Sequence, residues 1–393
     1  MFLILISILI LIAENTELNY GTESAETFLN SKCEPGCVFL ESKISSETIP
    51  LFPKNCSTVC ADIFIVGNSD LTEQQLTETF ENMKHLIGSL EVLTTNYTSG
   101  SFLTGLESVE CGSTNRFRRM LDRREIEQFS WTDNRNMLEF GLLNLTSINC
   151  FEYKVAANIN LKRMNTPNLK FWSTPNDTKV DVTIAPQNGN FCISSQEMMG
   201  IMSNENVTIS QIEGKYCELP KLVENGKMCN STFTTSPTNI QEGCTQIFGN
   251  LVISPENEHL VSQLKTVEVI FGGLILKNSN LSKIDFFDNL KYIYSLEKSI
   301  AAISVEQNPN LSDISFPSLK LAKSNAAYAI IFNNNSQTLS ADSTYCDRLQ
   351  NALNQPGDRP PMFDGKFCSE LPKNSPRLSI LGFFALVVMI NVF

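Results

Sequence analysis

Cys244-Thr-Gln-Ile-Phe-Gly-Asn-Leu-Val-Ile253 opens the stretch that decides the fold, because its closing phrase, Gly249-Asn-Leu-Val-Ile253, returns three times downstream. The returns are Gly272-Gly-Leu-Ile-Leu276, Ala302-Ile-Ser-Val305 and Ala329-Ile-Ile-Phe332. Three of the four phrases run into Asn-rich segments ending in Leu: Asn278-Ser-Asn-Leu281, Asn308-Pro-Asn-Leu311 and Asn333-Asn-Asn-Ser-Gln-Thr-Leu339. The steps are 23, 30 and 27 residues. Self-similarity at that period marks strand-turn units that cannot bury an apolar face alone and must stack on their neighbours. Asn, Ser and Pro suit the corners, since Asn tolerates left-handed backbone. The phrases are too uneven for a leucine-rich repeat, and no long helical period fills the gaps. The expected fold is therefore mainly β, a single-stranded right-handed β-helix.

Residues 56–218 read as a second, degenerate copy. Gly88-Ser-Leu-Glu-Val92 with Phe102-Leu-Thr-Gly-Leu106 echoes the Gly272 repeat, and Val180-Asp-Val-Thr-Ile184 echoes the fourth. Asn158-Ile-Asn-Leu161 with Asn165-Thr-Pro-Asn-Leu169 echoes Ala302 to Leu311. Both copies close alike: Phe191-Cys192 and Gly214-Lys-Tyr-Cys217 in one, Tyr345-Cys346 and Gly365-Lys-Phe-Cys368 in the other. Two tandem solenoid domains follow, 56–218 and 229–370, joined by 219–228 and preceded by a Cys-containing segment, 14–55.

Five ordered phrases, Cys244 to Ile253, Gly272 to Asn278, Phe287-Asp-Asn-Leu-Lys-Tyr-Ile293, Gln307-Asn-Pro-Asn-Leu311 and Phe316-Pro-Ser-Leu319, together resemble the receptor L domain. That domain occurs in insulin- and epidermal-growth-factor-receptor ectodomains and in kinase-less nematode proteins. The resemblance covers 229–370 well and 56–218 more loosely. It implies a binding ectodomain for insulin-like or growth-factor-like peptides, acting without a kinase as a decoy or co-receptor. A structural or adhesive extracellular glycoprotein is the alternative.

The 12 cysteines are even in number, all lie after residue 32, and gather toward domain ends. Zinc is poorly supplied by two histidines, and Cys33/Cys37 with Cys56/Cys60 would be its only set, so disulfides are the plainer reading. The symmetry of the copies suggests Cys192–Cys217, Cys346–Cys368 and Cys229–Cys244 as end caps and Cys111–Cys150 within the first copy. Cys33, Cys37, Cys56 and Cys60 would pair among themselves. An extracellular compartment also gives meaning to nine Asn-X-Ser/Thr sequons, at Asn55, Asn96, Asn144, Asn176, Asn206, Asn230, Asn280, Asn310 and Asn334. Met1–Ala13 is an apolar run too short to span a bilayer and reads as a secretory leader. The segment 371–393 ends in the apolar run Leu378–Phe393, which reads as a lipid-anchor signal or a short tail anchor. Arg116-Phe-Arg-Arg119 and Arg123-Arg124 form the dense basic run, a solvated loop or a convertase site.

Net charge of −12 argues against nucleic-acid binding and against docking on anionic lipid. No Gly-x-Ser-x-Gly, His-Glu-x-x-His, phosphate loop or EF-hand is present, and His85 and His259 lie far apart in sequence. The reading is a binding protein with no cofactor, not an enzyme. Its candidate site is a sheet face. If Leu251/Ile253, Leu274/Leu276, Ile303/Val305 and Ile330/Phe332 point inward, alternation turns Val252, Ile275, Ser304 and Ile331 outward, flanked by Ser254, Lys277, Glu306 and Asn333. In the first copy the corresponding residues are Glu91, Leu93, Asn160, Lys162, Asp181 and Thr183.

Overall fold

The computed structural model describes residues 32–41, 43–111, 129–175, 178–217, 227–231, 242–341, 343–353 and 359–373. The expected leader, the Arg116–Arg119 run, Asn176 and Leu378–Phe393 lie outside them. The described residues belong to two compact units, one ending at 217 and the other beginning at 227.

In the first unit, six strands line up in chain order and run parallel: β1 (Ile63–Val66), β2 (Leu90–Leu93), β3 (Phe129–Thr132), β4 (Glu152–Ala156), β5 (Val180–Ala185) and β6 (Val207–Ile212). A second parallel sheet is built from the short strands that alternate with them, such as His85–Ile87 before β2 and Ser147–Asn149 before β4. Strand alternation divides the residues by face. Ile63, Leu90, Phe129, Tyr153, Val182 and Ile209 pair in one register row, and all are buried. The next inward row, from Ile65 through Trp131 to Ile212, is buried as well. Phe102, Trp131 and Phe140 stack through this core, the last two with centroids 4.7 Å apart. Residues 33–61 join the same unit, since Val38–Phe39 pairs in parallel with Thr58–Ala61.

The second unit repeats the plan. β7 (Leu251–Ile253), β8 (Leu274–Lys277), β9 (Ile303–Glu306) and β10 (Ile330–Asn333) are parallel and in chain order. β11 (Met362–Phe363) adds in parallel, and β12 (Lys366–Phe367) folds back on it antiparallel through Asp364 and Gly365. Leu251, Ile253, Leu274, Leu276, Ile303, Val305, Ile330 and Phe332 all lie in one buried core, the inward set expected from alternation. Phe363 stacks on Phe332 at 4.5 Å. A second parallel sheet, which includes Cys244–Gly249, Val269–Phe271 and Tyr292–Ser295, contributes Ile247, Ile270 and Ile293 to that core.

The glycine that opens two of the repeated phrases marks the corner between these sheets. Gly272 has φ +155, and a β-carbon there would collide with the carbonyl of Gly249, itself at φ +97. At the other end of the strands the turn is fixed differently. The residue after β8, β9 and β10 is left-handed each time, Asn278, Gln307 and Asn334 at φ 55, 59 and 53, and the first unit does the same at Thr94, Asp133 and Ala157. The next residue is buried and polar: Ser279 and Asn308 in one unit, Thr95, Asn134 and Asn158 in the other. Asn134 Oδ1 accepts the Thr95 N–H at 3.0 Å, and Asn158 Oδ1 accepts the Asn134 N–H at 2.9 Å. Each buried amide thus satisfies the turn before it.

Among the described residues three α-helices interrupt the repeats. α1 (Glu73–Phe80) starts at a capping box in which Thr72 and Gln75 bond reciprocally. α2 (Ser195–Met202) starts at Ser194 and Glu197 in the same way. The Glu197 carboxylate, almost wholly buried, also accepts the Thr166 N–H at 2.8 Å. α3 (Thr344–Gln350) carries Cys346. The structure pairs Cys33 with Cys60, Cys37 with Cys56, Cys111 with Cys150, Cys192 with Cys217, Cys229 with Cys244 and Cys346 with Cys368. No free cysteine remains among the described residues, and all twelve cysteines are among them.

Candidate ligand-binding faces

On the outer face of the second unit, register sets Val252, Ile275, Ser304, Ile331 and Met362 side by side, with Phe367 opposite Met362. Ile275, Ile331, Met362 and Phe367 are half-buried. Lys277, Glu306 and Asn333 form the flanking row, with Glu306 exposed and the other two half-buried. Ser304 Oγ donates to Glu306 Oε1 at 2.6 Å, which ties the one polar residue of the apolar row to the rim. At the β12 end, the Tyr328 and Phe367 rings lie 6.1 Å apart and the Arg359 guanidinium sits 5.2 Å above Tyr328.

The outward row expected from alternation needs two corrections. Val252 and Ser254 are buried, 1% and 6% exposed, so the face begins at β8. Asn257 closes the turn after β7 by accepting the Ser254 N–H and donating to the Val252 carbonyl, both at 2.9 Å. Ser304, at 9%, is nearly closed as well. Met362 and Phe367 were missed because β11 and β12 follow the last recognisable phrase, across a long insertion with α3. The legible signal was Gly365 after Asp364, a turn pair between Phe363 and Phe367.

In the first unit, Glu91 and Thr183 fall in one outward row with Phe64, Ser130, Lys154 and Gln211. Leu93 heads a second outward row with Val66, Thr132 and Ala156, and Asp181 a third with Glu152. Asn160 and Lys162 do not belong here. The strand is Glu152–Ala156, while Asn158 to Lys162 form the following turn, where Asn160 Nδ2 donates to the Arg135 carbonyl at 2.7 Å. The apolar Ile159 and Leu161 imitate alternation, but the left-handed Ala157 has already ended the strand. This face is the more polar of the two.

Among the described residues no group of three or more His, Cys, Asp or Glu is placed to hold a metal ion. His85 Nδ1 lies 2.8 Å from Ser108 Oγ on the short-strand sheet of the first unit. Among the described residues no helix is long and apolar enough to cross a membrane.

Residues 243–351 match the receptor L domain family. That segment is similar to a receptor L domain. The matched segment takes in β7 to β10 and, of the apolar row, Ile275, Ser304 and Ile331, while Met362 and Phe367 lie beyond it. Over 281 residues, 68% of this chain, the sequence is 24% identical to Protein irld-34 of Caenorhabditis elegans. That match spans 60% of the length of the relative.

Proposed function

We propose that the chain is the binding ectodomain of a cell-surface or secreted glycoprotein. Its two units are tandem single-stranded right-handed β-helix L-like domains, 56–218 and 229–370, and it captures a peptide or protein ligand of insulin-like or growth-factor-like kind. Capture without a kinase suits a decoy or a co-receptor of a full receptor. Six disulfides support an oxidising compartment, where such proteins work. The observation that carries the reading is the row Ile275, Ile331, Met362 and Phe367, half-exposed apolar side chains on neighbouring strands beside a polar rim. An apolar patch with that surround marks an interaction surface. Anchorage through Leu378–Phe393 is part of this proposal, and release of the protein from cells by a phosphoinositide-specific phospholipase tests its lipid form.

The binding test is a panel of insulin-like peptides passed over the immobilised ectodomain, beside the Ile275→Asp/Ile331→Asp double variant. Both side chains are half-exposed, so the variant should be secreted. A partner's desolvated centre loses about 2 kcal/mol or more when an apolar anchor goes, roughly thirtyfold in affinity. A ligand held equally by both proteins moves the site to the Glu91–Thr183 face of the first unit. Failure of the whole panel removes the peptide-binding reading and leaves the adhesive one.

A further inference from the structure

A groove of about 230 Å³ opens in the second unit, built from none of the residues of its sheet face. It lies between the turn that follows Asp313–Ile314 and the helix α3 with its short continuation Asn351–Leu353. Apolar side chains form its base and much of its sides: Ile314, Leu349 and Ala352 are buried at the base, and Phe316, Leu319 and Tyr345 are half-buried around them, with the polar Ser315 on the rim. The phenol of Tyr345 is already committed, its single O–H facing Asp313 Oδ1 at 3.1 Å and the Ser312 carbonyl at 3.3 Å.

Arg348 is the charged residue of the lining. Its guanidinium lies 5.8 Å from the centroid of the Tyr345 ring, and among the described residues no carboxylate pairs with it. The neighbouring Asp347 points elsewhere, accepting from Ser343 Oγ at 2.6 Å. In a chain of net charge −12, a cation held beside an apolar hollow without a partner of its own is an unmet half of an ion pair.

We propose that this groove binds a small monocarboxylic acid with an apolar body, the hydrocarbon against Leu319 and Leu349 and the carboxylate on Arg348. The volume equals roughly eight waters at about 30 Å³ each, which suits a small aromatic or branched acid and excludes an extended peptide. Apolar enclosure supplies most of the attraction and the guanidinium selects the anion, since an arginine fork matches a carboxylate. The proposal stands whether or not the sheet face binds a peptide.

Saturation-transfer NMR and titration of the intact ectodomain with 3-phenylpropionate and its neutral analogue 3-phenylpropanol test it. The acid is expected to bind weakly, with saturation passing to its ring protons. It should bind about three- to fivefold tighter than the alcohol, the modest ratio that an exposed ion pair gives. Arg348→Gln should erase that ratio while leaving the alcohol bound. Ser315→Trp, placed on the exposed rim, should fill the groove and abolish both. The proposal is overturned if neither probe transfers saturation at 10 mM (on the order of ordinary fragment screening for weak binders), if the ratio survives Arg348→Gln, or if Ser315→Trp leaves binding unchanged.

Discussion

The side-chain oxygen of Asn308 accepts the backbone N–H of Ser279 at 2.8 Å, reaching from the turn after β9 to the turn after β8. Its own N–H is met in turn by Asn335 Oδ1 at 3.1 Å, and its amide donates to the Leu276 carbonyl at 3.2 Å. The sequence of turns is therefore one connected chain of amides. At its far end the Asn334 N–H donates to Asp364 Oδ1 at 2.7 Å.

Asn308 has no exposed surface, so Asn308→Ala should leave backbone groups of two turns without partners. An unsatisfied buried group costs about 1–3 kcal/mol, and the variant should lose about 2–3 kcal/mol in urea unfolding. Asn310→Ala, two residues on and exposed, should stay within about 0.5 kcal/mol. Equal midpoints for the two variants would remove the amide chain as a source of stability.

Glycan occupancy divides along the same line. Asn55, Asn96, Asn144, Asn206, Asn230, Asn280, Asn310 and Asn334 are all exposed. Glycopeptide mass spectrometry of secreted protein should find sugar on several of them, and Asn310→Gln should remove one glycan without lowering stability. A mature protein with every sequon bare would contradict the extracellular reading.

The disulfide Cys346–Cys368 closes a separation of 22 residues around the end of the second unit. By restricting the unfolded chain, a loop of this length contributes about 3 kcal/mol. The Cys346→Ser/Cys368→Ser double variant should unfold at correspondingly lower urea and be secreted less. Native unreduced protein should take up no thiol label; two labelled cysteines would break the six-pair arrangement.

Alkali should act through buried phenols. Burial, followed by the nearby Glu197 charge, pushes the Tyr153 phenol far above the ordinary value of 10.0. Burial also raises Tyr97, whose hydroxyl donates to the Leu71 carbonyl at 2.8 Å. Raised folded values mean that the stability tied to these neutral phenols is complete below about pH 10 and is lost as pH climbs beyond it. Absorbance at 295 nm (the order of a tyrosinate band, set by phenol ionisation) should show Tyr153, one of the eight tyrosines, ionising only with unfolding, and Tyr97 ionising later than an exposed phenol. A single smooth titration of all eight with the fold intact would refute this.

The repeat phrases were legible because alternation in a parallel strand is imposed by the backbone itself. Leu274, Ile275, Leu276 and Lys277 could be assigned to faces without any knowledge of neighbours. What failed was local. Val252 alternates outward yet is buried, since alternation names a direction and not what lies there. Asn158 to Leu161 imitates a strand because ladder asparagines and packed leucines recur in the turns as well. The helix α1 is legible in principle through Thr72 and Gln75, whose spacing is that of a capping box, but it belongs to no repeated phrase. Phe367 was beyond pattern reading, for it reaches the apolar row by a hairpin and not by a repeat.

The one-dimensional pairing order has a mechanical meaning. From β2 to β5 and from β8 to β10, each strand of the long sheets is bonded only to the preceding and the following strand of its own sheet. Tension along the polypeptide would meet no strand that clamps distant parts together, so it would peel the units open in small successive steps instead of rupturing them at once. The crosslinks Cys192–Cys217 and Cys346–Cys368, lying where such peeling would begin, shorten the slack that each end can release. Pulled in an optical trap, the oxidised protein should yield a staircase of short extensions, and reduction should lengthen the first of them.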